Sequence, residues 1–138
     1  MSQLLQFVGN HPYLVGAFTL VLLASLTLEL SRLIRLRRIE PVEAVQMLNR
    51  ENAAVIDIRD MGDFKKGHII DAVNAPERHL DEHLDRLAEI KPRPVIVCCS
   101  TGLSAGRVAS RLSKAGFAKV YILKGGIQAW REANLPLD

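Results

Sequence analysis

Two regimes of hydrophobic patterning divide this chain. From Pro12 to Leu28 (PYLVGAFTLVLLASLTL) the residues are apolar almost without interruption, whereas from Glu40 onward apolar residues come in short runs or at regular spacings between charged ones. The first stretch has no polar face. Its 17 residues span about 25 Å as a helix, slightly short of a hydrocarbon core, and Phe7, Val8, Leu30, Leu33 and Ile34 can supply the remainder.

The second regime changes period along its length. Residues 40–48 (EPVEAVQML) place Pro near a helix start and apolar residues at helical spacing. Residues 53–58 (AAVIDI) read as a short buried strand, 61–66 as a helical turn closed by Gly67, and 72–74 as a short extended piece before Pro76. A helix is predicted over 80–90, with Leu80, Leu84, Leu87 and Ala88 on one face, and Lys91-Pro92-Arg93-Pro94 ends it. Val95 to Cys98 is a strand, 105–115 a helix capped by Gly116, and 119–123 a strand; Gly125-Gly126 then turns into a last helix reaching Trp130. Short apolar strands alternating with helices predict an α/β fold, a small parallel sheet covered on both faces. The expected organisation is an anchor and basic stalk over 1–38 and one folded domain over 39–138.

Charge follows the same division. Residues 1–28 contain no Asp, Glu, Lys or Arg; residues 1–38 hold four Arg and one Glu, a net +3, while residues 39–138 balance 14 basic against 14 acidic side chains. The basic excess therefore belongs to Arg32, Arg35, Arg37 and Arg38, directly after the apolar run. Anionic lipid headgroups account for it better than nucleic acid does, because no aromatic and basic stripe accompanies it. The stretch is read as a single membrane anchor, and the positive-inside rule puts the arginine side, and with it the C-terminal domain, in the cytoplasm. A cleaved signal peptide is disfavoured by the absence of positive charge before the run and of a clean small-x-small site after it. A buried helix of a soluble protein would be unusual with 28 uncharged residues.

The candidate for chemistry is Val95-Ile96-Val97-Cys98-Cys99-Ser100-Thr101-Gly102-Leu103-Ser104-Ala105-Gly106. It reads as a buried strand, a cysteine, a Gly-bearing loop and a helix start, and sites in parallel sheets sit at the carboxyl ends of strands. A thiolate placed before the first amides of a helix is stabilised by them and by the helix dipole. Two adjacent cysteines make neither a disulfide framework nor a zinc pattern, and no metal or other cofactor is expected. Along an extended strand Cys98 and Cys99 point to opposite sides.

The series Val55-Ile56-Asp57-Ile58-Arg59, Phe64, Gly67-His68-Ile69, Ala72, Asn74 and Pro76, followed by Val95 to Cys99 with Gly102, then Gly116-Phe117, Val120, Leu123, Gly125-Gly126 and Trp130, resembles a rhodanese-like domain over roughly residues 39 to 138. The anchor followed by a single such domain also resembles a group of small bacterial inner-membrane proteins. The resemblance implies sulfur transfer through a persulfide on the loop cysteine, loaded by a donor such as thiosulfate or a persulfidated protein and unloaded by a thiophilic acceptor. Gly three residues after the cysteine fits Cys99 and Gly102 but not Cys98 and Thr101, so Cys99 is the implied nucleophile, with Ser100, Thr101, Gly102, Leu103 and Ser104 as its loop. Arg59 is implied near the site, and Asp57 is read as bracing loop amides. Beyond the membrane and a sulfur donor, a membrane-protein partner is a further candidate.

Many active family members carry Arg five residues after the cysteine, followed by Ser or Thr; here those positions are Ser104 and Ala105. That departure motivates the competing function, a catalytically silent module that binds a partner at the membrane. A related phosphatase-like group needs Arg at Ala105 or Ser104 and is not supported. His79 and His83, four apart, are read as a solvated face, Gly67-His68-Ile69 as a structural turn, and Trp130 as core.

Overall fold

The computed structural model describes residues 1–34 and 36–138; Arg35 and the side chains of Arg32, Leu33 and Ile34, and so half of the arginine cluster, lie outside the described residues. The chain forms two compact units, Met1–Ile34 and Arg35–Asp138.

The first unit is two helices, α1 (Ser2–Asn10) and α2 (Pro12–Ile34). Pro12 disfavours the helical conformation in the residue before it, and His11 accordingly leaves it (φ −132°, ψ 57°). The hydrogen-bond ladder nonetheless continues across the break, from His11 N–H to Phe7 O (3.0 Å) and Val15 N–H to His11 O (3.1 Å). Within α2, the 20 residues Pro12–Ser31 have a mean hydropathy of 1.9, and none is buried. At 1.5 Å per residue they reach about 30 Å, the thickness of a hydrocarbon core. The hydroxyls of Thr19, Thr27 and Ser31 donate to the carbonyls of Val15, Ala24 and Thr27, so these three polar groups are satisfied within the helix.

The second unit contains β1 (Arg37–Ile39), α3 (Pro41–Arg50), β2 (Ala54–Asp57), α4 (Met61–Lys66), β3 (Val73–Asn74), α5 (Leu80–His83), β4 (Pro94–Cys98), α6 (Ala105–Lys114), β5 (Lys119–Leu123) and α7 (Gly126–Glu132). The five strands form one sheet in the order β1-β5-β4-β2-β3, every pairing parallel. β4 is central, which is why Val95, Ile96 and Val97 are wholly buried. The period of two sends Val95, Val97, Val120 and Ile122 to one face, beneath Val108 and Leu112 of α6, and Val55, Ile96 and Leu123 to the other, against Met47 of α3 and Ile127 and Trp130 of α7.

Two segments differ from the sequence reading. Residues 80–90 do not form one helix: α5 ends after a single turn, and a 3₁₀ segment, Arg86–Ile90, follows. Leu80 and Leu87 both remain in the core, and the Arg86 guanidinium turns in to the Asn74 carbonyl (3.1 Å), which the tighter 3₁₀ turn accommodates. Arg37 and Arg38, read as part of a stalk, lie in the edge strand β1, because Ile39 beside them is completely buried and Arg37, Arg38 and Ile39 register against Tyr121, Ile122 and Leu123.

Candidate functional site

The site forms where β4 ends and α6 begins. Cys98 belongs to the cluster that contains Ile96, and Cys99 to the cluster on the opposite face. This alternation gives the two thiols different chemistry. Cys98 is fully buried, and burial pushes its thiol far above the ordinary value, the charge of Asp57 adding to the effect. It stays protonated. Cys99 is 3 % exposed, and its Sγ accepts the Gly102 N–H at 2.8 Å. A backbone donor aimed at sulfur is the feature a stable thiolate or persulfide anion needs.

The loop is shaped by glycines at close approaches. Gly102 has φ +86°, and a Cβ there would meet the Gly125 nitrogen at 3.0 Å. At Gly126 (φ +59°) a Cβ would fall 2.2 Å from the Cys99 carbonyl oxygen. That bare backbone lets α7 dock on the loop: the Ile127 N–H donates to Cys99 O (2.8 Å) and the Gln128 N–H to Ser100 O (3.2 Å). The Cys99 and Ser100 carbonyls are thereby turned toward α7. Among the described residues the amides of Ser100, Thr101, Leu103 and Ser104 donate to no protein acceptor.

Asp57 and Arg59 follow from β2. Asp57 Oδ1 accepts both the Arg59 backbone N–H and Nε (each 3.0 Å), Oδ2 accepts Nη2 at 2.7 Å, and Nη2 also donates to the Gly67 carbonyl (2.7 Å). Both side chains are almost wholly buried. Burial works to lower the guanidinium's pKa, but the hydrogen bond and charge of Asp57 outweigh it, so Arg59 is held more firmly protonated. Asp57 thus braces the Arg59 turn rather than the amides of the cysteine loop, and Arg59 reaches the site with its charge already paired. Asn74 supports the same turn by donating to the carbonyls of Asp57 and Arg59.

A cleft of about 240 Å³ opens beside the thiol, bordered by Cys99, Ser100, Ser104, Arg59, Glu77 and Arg78. A second, of about 540 Å³, lies along Ser100 and Thr101 and reaches Lys66 and Arg131. A larger cavity of about 580 Å³ sits at the amino ends of β2 and β4, lined by Val45, Leu48, Val55 and Trp130 among others; no cysteine lines it. Leu103 stands at the loop tip, 86 % exposed. Of the residues singled out from the sequence, Cys99, Ser100, Ser104 and Arg59 meet in one cleft, Thr101 faces the next, and Gly102 lies beneath the sulfur. His68 stacks on Phe64, and its main chain pairs with Asp138, a structural arrangement. His79 is exposed and approaches Glu82 (3.5 Å).

Sequence reasoning missed three participants. Arg78 borders the thiol cleft from the turn after β3. Gly126 was read only as a turn, though its pairing with Gly125 was the available signal. Arg38 donates from Nη1 to the Gly102 carbonyl (3.1 Å) across 64 positions, and no local pattern announces it.

The rhodanese-like domain family matches residues 40–133. The uncharacterised protein YibN of Escherichia coli strain K12 is 38 % identical over 139 residues, covering 99 % of this chain and 97 % of YibN. The thiosulfate sulfurtransferase GlpE of Shewanella oneidensis is 39 % identical over 92 residues, 67 % of this chain and 89 % of GlpE. Among solved structures, the rhodanese-like domain of an Anabaena protein superposes with a TM-score of 0.64 at 26 % identity, over 73 % of this chain and 77 % of that one. Matches of this extent make the relationship one of descent as well as of shape: the chain belongs to the rhodanese-like domain family.

Proposed function

We propose that this chain is a sulfurtransferase that carries sulfane sulfur as a persulfide on Cys99. The observation that carries the reading is the Gly102 N–H held on the Cys99 sulfur, inside a loop whose other amides are unspent and which borders an open cleft. Likeness to a relative named thiosulfate sulfurtransferase supports thiosulfate as the first donor to try.

In the loading step the Cys99 thiolate attacks the outer sulfur of thiosulfate. The new S–S bond forms as the old one breaks, and its electron pair leaves on sulfite, so one thiolate and one dianion become one persulfide anion and one sulfite dianion. In the unloading step an acceptor thiolate attacks the terminal sulfur and Cys99 departs as the thiolate. No oxidant or metal enters the balance. The loop amides supply donors to whichever sulfur bears the charge, and they are fixed before the reaction, which is where such stabilisation gains its strength.

The same proposal holds the protein in a bacterial cytoplasmic membrane through α2, with the rhodanese-like domain on the cytoplasmic side. The length and continuous apolarity of α2 support this, as does the cluster of arginines after it. A tether of this kind suits a donor or acceptor that is itself at the membrane.

The test uses the full chain in detergent micelles, incubated with thiosulfate or a low-molecular-weight persulfide and read by intact-mass spectrometry. One added sulfur is expected in wild type and Cys98→Ser and none in Cys99→Ser. No adduct on the folded protein from either donor would sink the enzyme reading. It would leave the partner-binding module, which the near-complete burial of Cys99 and the missing loop arginine favour. For the anchor, alkaline carbonate washing is expected to leave the protein in the membrane pellet.

A further inference from the structure

The loop around Cys99 has no arginine of its own, yet a guanidinium rests on it. Arg38 donates from Nη1 to the Gly102 carbonyl (3.1 Å), while the N–H of the same glycine donates to Cys99 Sγ (2.8 Å). We propose that Arg38 is a positioning residue of this site, holding the Gly102 carbonyl so that the N–H of the same residue stays on the Cys99 sulfur.

The argument begins with glycine. The two peptide planes that meet at Gly102 are joined through a glycine at φ +86°, where no side chain is present to wedge them. What the N–H side presents to sulfur therefore depends on what fixes the carbonyl side, and Arg38 is the residue that fixes it. Arg38 is itself well placed to do so. It sits on β1 opposite Ile122, and the strand continues into the bond from Lys124 N–H to Ile39 O (2.9 Å). The frame holding the clamp is thus the sheet itself.

Charge points the same way. Arg59 is paired with Asp57, Arg107 with Glu77 (3.2 Å) and Arg111 with Asp81, whereas Arg38 makes no ion pair among the described residues. A Cβ added at Gly106 would lie 3.9 Å from Arg38 Nη2, so the guanidinium also stands over the first turn of α6. A cation at the positive end of a helix is unfavourable in isolation. Negative charge on the Cys99 sulfur relieves it, as thiolate or as persulfide.

The proposal rests on the sulfur-transfer reading for one of its two readouts only. Full-length protein in detergent micelles is labelled with carbonyl-¹³C threonine and ¹⁵N glycine; Thr101-Gly102 is the sole Thr-Gly pair in the chain, so one amide resonance reports the site. In Arg38→Met that resonance is expected to move toward the position of an unbonded amide. The rate of sulfur loading on Cys99 is expected to fall about tenfold, with the thermal midpoint unchanged. Arg38→Lys, which keeps a charged donor, is expected to restore most of both. An unmoved Gly102 resonance overturns the proposal, and so does a moved resonance with an unchanged loading rate. Arg38→Gln carries the same readouts if Arg38→Met fails to fold. Should wild type take up no sulfur at all, the sulfur-transfer reading falls, and the resonance alone decides the clamp.

Discussion

Side chains of the same kind meet opposite fates in the two units. In α2, Leu14, Phe18 and Leu22 are 62 %, 69 % and 57 % exposed, while in the sheet Ile56, Val95 and Ile96 are not exposed at all. The sheet strands find their partners within the chain, in two layers of helices. The helix buries no residue within its own unit among the described residues, and the hydroxyls of Thr19, Thr27 and Ser31 are turned back on its own carbonyls. Hydrophobic content alone does not separate these cases. What separates them is whether polar residues recur often enough to define an inside, and α2 defines none.

The largest effect is expected where that comparison is broken in α2. Leu22→Arg with Leu23→Arg puts two guanidiniums at mid-helix, at about 2.5–3.5 kcal/mol each against insertion. Membrane fractionation is expected to show the protein leaving the carbonate-resistant pellet. Retention of the double variant there would mean that α2 does not lie in lipid. The corresponding break in the second unit is polar rather than apolar. Asp57→Asn leaves the Arg59 guanidinium buried without its anion, at a cost of about 3–5 kcal/mol. Thermal denaturation is expected to show a midpoint lower by about 15 °C or more. A shift of only a degree or two would show that the Gly67 carbonyl alone satisfies Arg59. Next in size is Gly126→Ala. Its Cβ would overlap the Cys99 carbonyl at a left-handed backbone position, for a combined cost of about 2–5 kcal/mol. Because the displaced group is the loop, alkylation of Cys99 by iodoacetamide is expected to change along with stability. An unchanged rate would separate α7 docking from the shape of the site.

Much of this was legible because it depends on local pattern. Val95 to Val97 read as a buried strand, which the structure places at the centre of the sheet, and its alternation put Cys98 and Cys99 on opposite faces; the family resemblance, through the cysteine-to-glycine spacing, is what pointed to Cys99. Asp57 was visible as a structural group, but not its partner, since Arg59 two residues on offers no pattern that distinguishes pairing with Asp57 from reaching into the site. The residues 80–90 were misjudged because helical spacing of leucines is also met by a short helix followed by a 3₁₀ turn when an inward arginine takes a carbonyl. β1 was hidden for a different reason. Three residues beside a long apolar run carry too little periodicity to register, and only Ile39 goes inside. With β1 went Arg38, whose contact is purely tertiary.

The smallest effect concerns the two thiols themselves, the finest version of the comparison between buried and available. Burial, then the charge of Asp57, raises the Cys98 pKa in the folded state above its ordinary value of 9.0. Between those two values the unfolded chain has released a proton that the folded chain retains, so stability is full below about pH 9 and declines as pH rises beyond it. The slope attributable to this one group approaches about 1.4 kcal/mol per pH unit. Other groups titrate in the same range, so the informative quantity is the difference between wild type and Cys98→Ala, measured by urea unfolding at pH 8, 9 and 10. Cys98→Ala is expected to be less stable than wild type at pH 8, because a packed side chain is lost, and to close the gap as pH rises. A gap of constant size from pH 8 to 10 would mean that Cys98 ionises in the folded protein as readily as in the unfolded one. The assignment of the nucleophile to Cys99 would then lose one of its two physical supports, leaving the Gly102 hydrogen bond to carry it.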